Sequence, residues 1–349
     1  MSEAPIAARL TAQGLSGPPL AGPVEVAERL LAVQGQDPRG ARLAVRSRAE
    51  GTAASDVDRA LSEDRSLLIT WLNRGTLHLV RSEDYPWLQA LTTPPLITSS
   101  AYRLTREGLT EADGERAMKT IERALTAEGP LTRAQLRERL DGAGVRTEGQ
   151  ALIHLLFMAA LRGIAVRGPM AGKEHAYVLT RDWLGPQPEV DREAALAELA
   201  RRYLIGHGPA DDRDLARWAG LPLRDARLGL SALGDRLRVS EDGLVSLTGA
   251  PRVAGPPPPR LLGAFEPVLM GWCSRTAVLG EHDQRIVTGG IFRAFAFAPG
   301  PGHGGGQPVA VWKLGRSGVE LDPLRPLDSS LSDALERDGE RVMRFLGRV

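Results

Sequence analysis

Apolar residues along the chain fall into short blocks at helical spacing, and each group of blocks is followed by two β-prone runs. The clearest group occupies residues 115–179. Positions 115–127 carry helical periodicity, and Gly129-Pro130-Leu131-Thr132 breaks that helix and caps the next. Leu136 and Leu140 stand at i and i+4 on the second helix, and residues 149–162 form a third, strongly apolar one. Ile164-Ala165-Val166 and Ala176-Tyr177-Val178-Leu179 then read as strands joined through Gly168-Pro169-Met170-Ala171-Gly172. Three helices followed by a hairpin is the plan of a winged helix.

The same plan recurs twice. Downstream, helical patterns at 192–205, 211–218 and 223–233 precede β-prone runs at 237–239 and 244–247, and Gly208-Pro209-Ala210-Asp211 echoes the earlier Gly-Pro joint. A looser copy opens the chain, with helical patterns at 6–13, 23–33 and 56–62 and strands at 67–72 and 76–80 around Asn73-Arg74-Gly75, a turn signal. Beyond the rigid run Pro256 to Pro259 the pattern becomes β, with runs at 261–265, 285–287, 290–297 and 309–314 before a helix at 332–346. Gly300-Pro301-Gly302-His303-Gly304-Gly305-Gly306 joins two strands, so it reads as a hairpin tip and not as a phosphate loop. The predicted class is α+β: three tandem winged-helix units (1–105, 106–185, 186–252), then a small C-terminal β-barrel-like domain with a closing helix (253–349). Winged helices mostly bind DNA, and three in one chain predict a DNA-binding clamp.

Composition narrows the chemistry. At 349 residues the chain has room for several domains with ample cores. Net charge is +1, but the cations are nearly all arginine, only Lys119, Lys173 and Lys313 being lysine. Arginine supplies forked donors for phosphate and base edges, although a GC-rich genome gives the same bias. Residues 251–319 hold seven basic side chains against three acidic ones, which makes Arg275, Arg293 and Lys313 candidate DNA contacts, with Arg74 at a wing tip as a fourth. The lone Cys273 excludes an internal disulfide framework, and the six histidines show no ligand spacing, so neither a metal nor another cofactor is expected. Without a membrane-length apolar run or a signal-peptide core, a monomeric, cytoplasmic, nucleoid-associated protein is expected. Trp71, Trp87, Trp218 and Trp312 read as core.

One local feature stands apart. Val33-Gln34-Gly35-Gln36-Asp37-Pro38 places two carboxamides one residue apart where a helix should break. Each amide offers donors and an acceptor without titrating, which suits holding a water or a substrate edge and does not suit proton transfer. A C-cap with two solvated amides would give the same spacing. Asp37 is the nearest carboxylate and a candidate water activator, though Asp before Pro is also a turn device. His78, alternating with Leu77 and Leu79, is either a cleft-lining candidate or a hydrogen-bonded structural residue.

These residues resemble the AlkZ family of bacterial winged-helix DNA glycosylases. The likeness is carried by Val33-Gln34-Gly35-Gln36-Asp37, by Thr70-Trp71-Leu72-Asn73-Arg74-Gly75-Thr76-Leu77-His78-Leu79-Val80, by Ala200-Arg201-Arg202-Tyr203-Leu204 before Gly206-His207-Gly208-Pro209, and by Gly290-Ile291-Phe292-Arg293. The resemblance implies excision of bulky N-alkylated purines, interstrand crosslinks included, with Gln34 and Gln36 as the catalytic pair. Gln36 rather than Asp at the second position matches the crosslink-type branch. Two departures stand out: Gly35 replaces an apolar middle residue, and Phe265-Glu266-Pro267-Val268-Leu269 has Pro267 where the family's second acid stands.

The expected function is therefore monofunctional hydrolysis of the glycosidic bond of cationic N7-alkylguanine in double-stranded DNA, for repair or for self-resistance to a genotoxic product. No lysine lies near the glutamines to form a Schiff base, so no lyase step is expected. Two other readings stay open at this point: a non-catalytic protein that senses or sequesters the same adducts, and a transcription regulator with a β effector domain.

Overall fold

The computed structural model describes residues 4–172, 174–300, 305–316 and 318–348. The tip expected at 300–306 thus lies mostly outside the described residues. The chain forms two compact units. One comprises Met1–Val57, Leu196–Trp218 and Pro222–Val349, and the other comprises Asp58–Ala195 and Ala219–Leu221.

The second unit is built on antiparallel strands in the order Thr76–Arg81, Leu67–Leu72, Ala165–Ala171, Glu174–Leu179. Asn73 (φ 48°) and Gly75 (φ 81°) make the left-handed turn that the Asn-Arg-Gly sequence predicts. Helices Glu111–Glu128, Arg133–Gly142 and Ala151–Leu161 follow the predicted pattern, and Thr110 and Thr132 each close a reciprocal capping box at a helix start. Two helices not anticipated, Tyr85–Thr92 and Pro94–Arg106, begin on Pro86 and on Pro94-Pro95. Proline in a first turn is compatible with a helix, so these residues start elements where they read as breakers.

In the first unit the four strands Arg260–Leu262, Phe295–Pro299, Gly306–Leu314 and Val319–Pro323 form an antiparallel sheet, in that order from one edge to the other. Among the described residues this sheet is open, which corrects the expectation of a barrel-like domain. Four short strands cannot curl far enough to close, and the helix Ser329–Phe345 covers one face instead. Leu43, Leu261, Ala296, Ala310, Leu335 and Val342 make the shared core. Leu43 comes from the helix Pro38–Arg46, so an element near the start of the chain is part of the core of its C-terminal sheet.

Two buried arginines fix that helix. Arg46 forms a two-pronged ion pair with Asp338 on the closing helix, and Asp338 also accepts from Leu261 N at 2.7 Å. Arg48 and Glu266 are both fully buried and pair at 2.6 Å. The remaining Arg48 donors reach Gln13 O, Gln13 Oε1, Ala44 O and Ser47 Oγ at 2.7–3.0 Å. A buried charge is tolerable only with this degree of satisfaction.

Helices Pro23–Leu30 and Arg192–His207 approach closely: a Cβ on Gly206 would lie 2.2 Å from Arg29 O. Arg202 Nη2 donates to Glu28 O at 2.8 Å, taking up a carbonyl at the end of the first helix. His207 stacks on Tyr203 at 4.8 Å, and Trp272 Nε1 donates to His207 O. Burial pushes the His207 imidazole down to about 3, so it is neutral. Trp71, Trp218 and Trp312 are core residues as expected, whereas Trp87 is half-buried.

Arg48→Met leaves Glu266 buried without a counter-charge and should cost about 3–5 kcal/mol in chemical denaturation. Arg48→Met with Glu266→Leu should recover much of that loss. Equal destabilisation in the single and double variants would show that the pair contributes shape and not charge compensation.

Candidate active site

The helix Pro23–Leu30 ends abruptly. Leu31 sits at φ 63°, ψ −47°, and Ala32 N donates to Leu30 O at 2.7 Å. This is a tight γ-turn in its strained form, uncommon for a residue with a branched side chain. It turns the chain from the helix into the extended pair Val33–Gln34, three residues sooner than the periodicity predicts. Leu31 is fully buried, so surrounding packing holds it in this conformation.

Gln34 is 6% exposed, and its Oε1 has no hydrogen-bond partner. A buried acceptor left unsatisfied costs about 1–3 kcal/mol, and such a group marks a place where a donor is wanted. Gln36 is exposed. Asp37 is the N-cap of the helix Pro38–Arg46, its Oδ1 accepting from Gly40 N at 2.6 Å, with Pro38 in the first turn. Sequence reading misses this helix because Asp37-Pro38 reads equally well as a turn. A Cβ on Gly40 would lie 2.3 Å from Ala264 O, so the segment before Glu266 lies directly against the helix start. Phe265 in that segment is again left-handed, at φ 55°. Two strained residues, Leu31 and Phe265, thus bracket the stretch that carries both amides and Asp37.

The other unit carries His78 and Arg74. His78 is 3% exposed and its Nδ1 lies 2.9 Å from Thr76 O, so Nδ1–H donates and Nε2 is left as an acceptor. Burial, reinforced by the Arg74 charge, pushes it down to about 3. His78 is therefore neutral at physiological pH. Arg74 is half-buried at the turn. Alternation leaves one face of this strand for solvent, yet residues 77–80 are all buried. Sequence reasoning also misses Asn73, which is 1% exposed with both amide atoms unpartnered, and Thr70 and Thr76, whose buried Oγ1 atoms lack partners. The signal is present as a polar residue at each of these hairpin positions, but Asn73 reads only as a turn former.

The candidate DNA contacts differ in setting. Arg275 is half-buried, pairs with Asp283 at 3.3 Å, and its guanidinium lies 5.5 Å from the Phe292 ring. Phe292 in turn packs on Phe265 at 5.4 Å, which links this arginine to the segment beside the glutamines. Arg293 is exposed. Lys313 is exposed on the sheet and pairs with Glu320 at 2.9 Å. Among the described residues no cluster of His, Cys, Asp and Glu could hold a metal ion, and no helix is long and apolar enough to cross a membrane.

The geometry can be set beside known proteins. An interstrand DNA cross-link repair glycosylase of Streptomyces sahachiroi is 28% identical over 345 residues, covering 93% of this chain and 90% of its own. The solved structure of the Streptomyces sahachiroi DNA glycosylase AlkZ is alike in fold, with a TM-score of 0.77 at 24% identity over 98% of this chain and 95% of that one. The family description "DNA glycosylase AlkZ-like" matches residues 27–345, a span that includes the paired glutamines, the hairpin with His78 and the C-terminal sheet. On that match the chain belongs to the AlkZ-like DNA glycosylase family.

Proposed function

We propose that the protein hydrolyses the N-glycosidic bond of bulky, cationic N7-alkylguanine adducts, interstrand crosslinks included, with Gln34 and Gln36 as the catalytic pair. The observation that carries this reading is the buried, unpartnered Gln34 Oε1 on a strained segment. An oxygen so placed accepts a hydrogen bond from the attacking water or faces the positive charge that develops on the sugar. Gln36 supplies a second amide one residue on. The bond between C1′ and N9 breaks with its electron pair kept by the purine, whose positive charge is thereby neutralised. Water oxygen bonds to C1′ and its proton passes to solvent. Because the leaving group is already cationic, positioning and electrostatics suffice and no strong acid is required.

Asp37 is engaged in capping, which is consistent with a glutamine site working without a protonated acid, and His78 on the other unit is neutral. Arg74, Arg275 and Arg293, with Lys313, are proposed contacts to the DNA backbone. Three tandem winged helices forming a clamp remain the proposed arrangement, acting as a monomer in the cytoplasm beside the nucleoid. That the relative is a cross-link repair glycosylase supports the substrate class, and self-resistance to a genotoxic product is the proposed setting. Catalytic turnover separates this reading from sequestration of adducts, which would release no base.

Gln34→Ala and Gln36→Ala should each slow base release from duplex DNA carrying N7-alkylguanine by at least about tenfold, the order expected for one oriented group. Affinity for undamaged duplex should hardly change. Wild-type rates in both variants would place the site elsewhere.

Substrate charge and pH give a second test. Neutral lesions such as uracil should be released far more slowly than N7-methylguanine in matched single-turnover assays. Between about pH 5 and pH 9 the rate should show no histidine inflection from His78, because it is already neutral above about 3. A step near pH 6.5, the ordinary histidine value, that disappears in His78→Gln would contradict this assignment.

A further inference from the structure

Away from the glutamines, the first unit has a polar cavity of about 450 Å³ between the end of the helix Pro38–Arg46, the strand Arg260–Leu262 and the last turns of the closing helix Ser329–Phe345. Four arginines line it, Arg46, Arg260, Arg341 and Arg344, together with Glu50 and Asp338. Asp338 is not available to them equally: it is buried, held by Arg46 and by Leu261 N. Arg260 donates to Ser47 O, which takes up a carbonyl at the C-terminal end of the Pro38–Arg46 helix. That contact offsets the partial negative charge a helix end would otherwise present to an incoming anion. Burial lowers the Arg260 pKa; the charges of Asp338 and Glu50 oppose this, while those of Arg46 and Arg48 act with it.

Arg341 and Arg344 are exposed at the rim. With Arg337 they occupy i, i+4 and i+7 of one helix, so the three project from one face over a rise of roughly 10 Å. The apolar face of the same helix, with Leu335, Val342 and Phe345, is committed to the core. The arginines are thus carried on a rigid element, with a partly desolvated cation, Arg260, behind them. Forked donors of this kind match the oxygens of a phosphodiester.

We propose that this cavity and the arginine face leading from it bind DNA backbone phosphates, with Arg344 and Arg341 as the outer contacts and Arg260 as the inner one. The assignment extends the proposed glycosylase reading, on which it rests, by adding an anchoring surface distinct from Arg275, Arg293 and Lys313. An interaction with phosphate alone holds the duplex without reading sequence, which suits an enzyme that must meet damage in any context. On one strand of B-form DNA a phosphate recurs about every 3.4 Å of axis, so a face roughly 10 Å long can meet more than one.

The test uses the full chain and undamaged duplex DNA. The double variant Arg341→Gln, Arg344→Gln should bind roughly tenfold more weakly at low salt. Its plot of log affinity against log salt should be shallower by about one to two units, as expected for one or two lost phosphate contacts. The matching Arg341→Lys, Arg344→Lys variant should keep most of the slope, because counterion release depends on charge. Both changes lie on exposed positions, and thermal melts should match wild type. An unaltered slope in the glutamine double variant overturns the proposal. Protection of the fold by millimolar inorganic phosphate that is lost in Arg260→Gln, with an unaltered DNA slope, would identify a free-anion site instead and also overturn it. If wild-type enzyme released no base at all, the glycosylase reading would fail while the salt slopes still decided this site.

Discussion

The fully buried Arg48–Glu266 pair joins segments 218 residues apart, and much of the candidate site hangs from it. Arg48 follows the helix that begins at Pro38, while Glu266 follows the strained Phe265 beside that helix's first turn. One ion pair therefore fixes the far end of the helix to the loop that flanks its near end. Arg46 adds a second tie, to Asp338, in the same last turn. With both clips in place the helix start cannot drift, and neither can the amides immediately before it. Glu266 thus has a structural task as the counter-charge of Arg48.

Two of the four left-handed non-glycine residues among those described lie beside the amides. Leu31 and Phe265 both occupy the left-handed region at a cost of order 1–3 kcal/mol each, and both are held there by packing and close backbone contacts. The close approaches at Gly40 and Gly206 have the same effect from two other directions, since neither position tolerates a side chain without moving backbone. A carboxamide cannot be tuned by protonation, so its only lever is position. A site that depends on amides must place its restraint in the backbone beneath them.

Much of the secondary structure is legible because periodicity and capping chemistry are local. Helices Glu111–Glu128, Arg133–Gly142 and Ala151–Leu161 with their hairpin match the reading closely, down to Thr132 as a cap. Gln34 and Gln36 are also legible, as polar residues where a helix should break. What escapes is non-local or ambiguous. Leucine carries no signal for a γ-turn, so periodicity extends the helix through Val33. Asp37-Pro38 serves equally as a turn and as an N-cap with proline in the first turn, and only packing against Ala264 decides between them. The β pattern after Pro259 reveals strands but not their number in one sheet, so it does not distinguish an open sheet under a helix from a barrel. Alternation leaves His78 one free face, but burial on both sides of its strand depends on elements distant in sequence.

The tie between Arg46 and Asp338 spans 292 residues. At synthesis rates of about 5–20 residues per second, roughly 15–60 s separate the two partners' emergence from the ribosome. Through most of that interval the nascent chain carries both glutamines with no clamp on the helix behind them; the Arg48–Glu266 pair can form once Glu266 has emerged, and the Arg46–Asp338 tie only later. The helix behind the amides has both ties only after the closing helix has been made. Translation order thus delays full bracing of the site until the closing helix has emerged, and a product terminated before Glu266 would carry the motif without the scaffold that aims it.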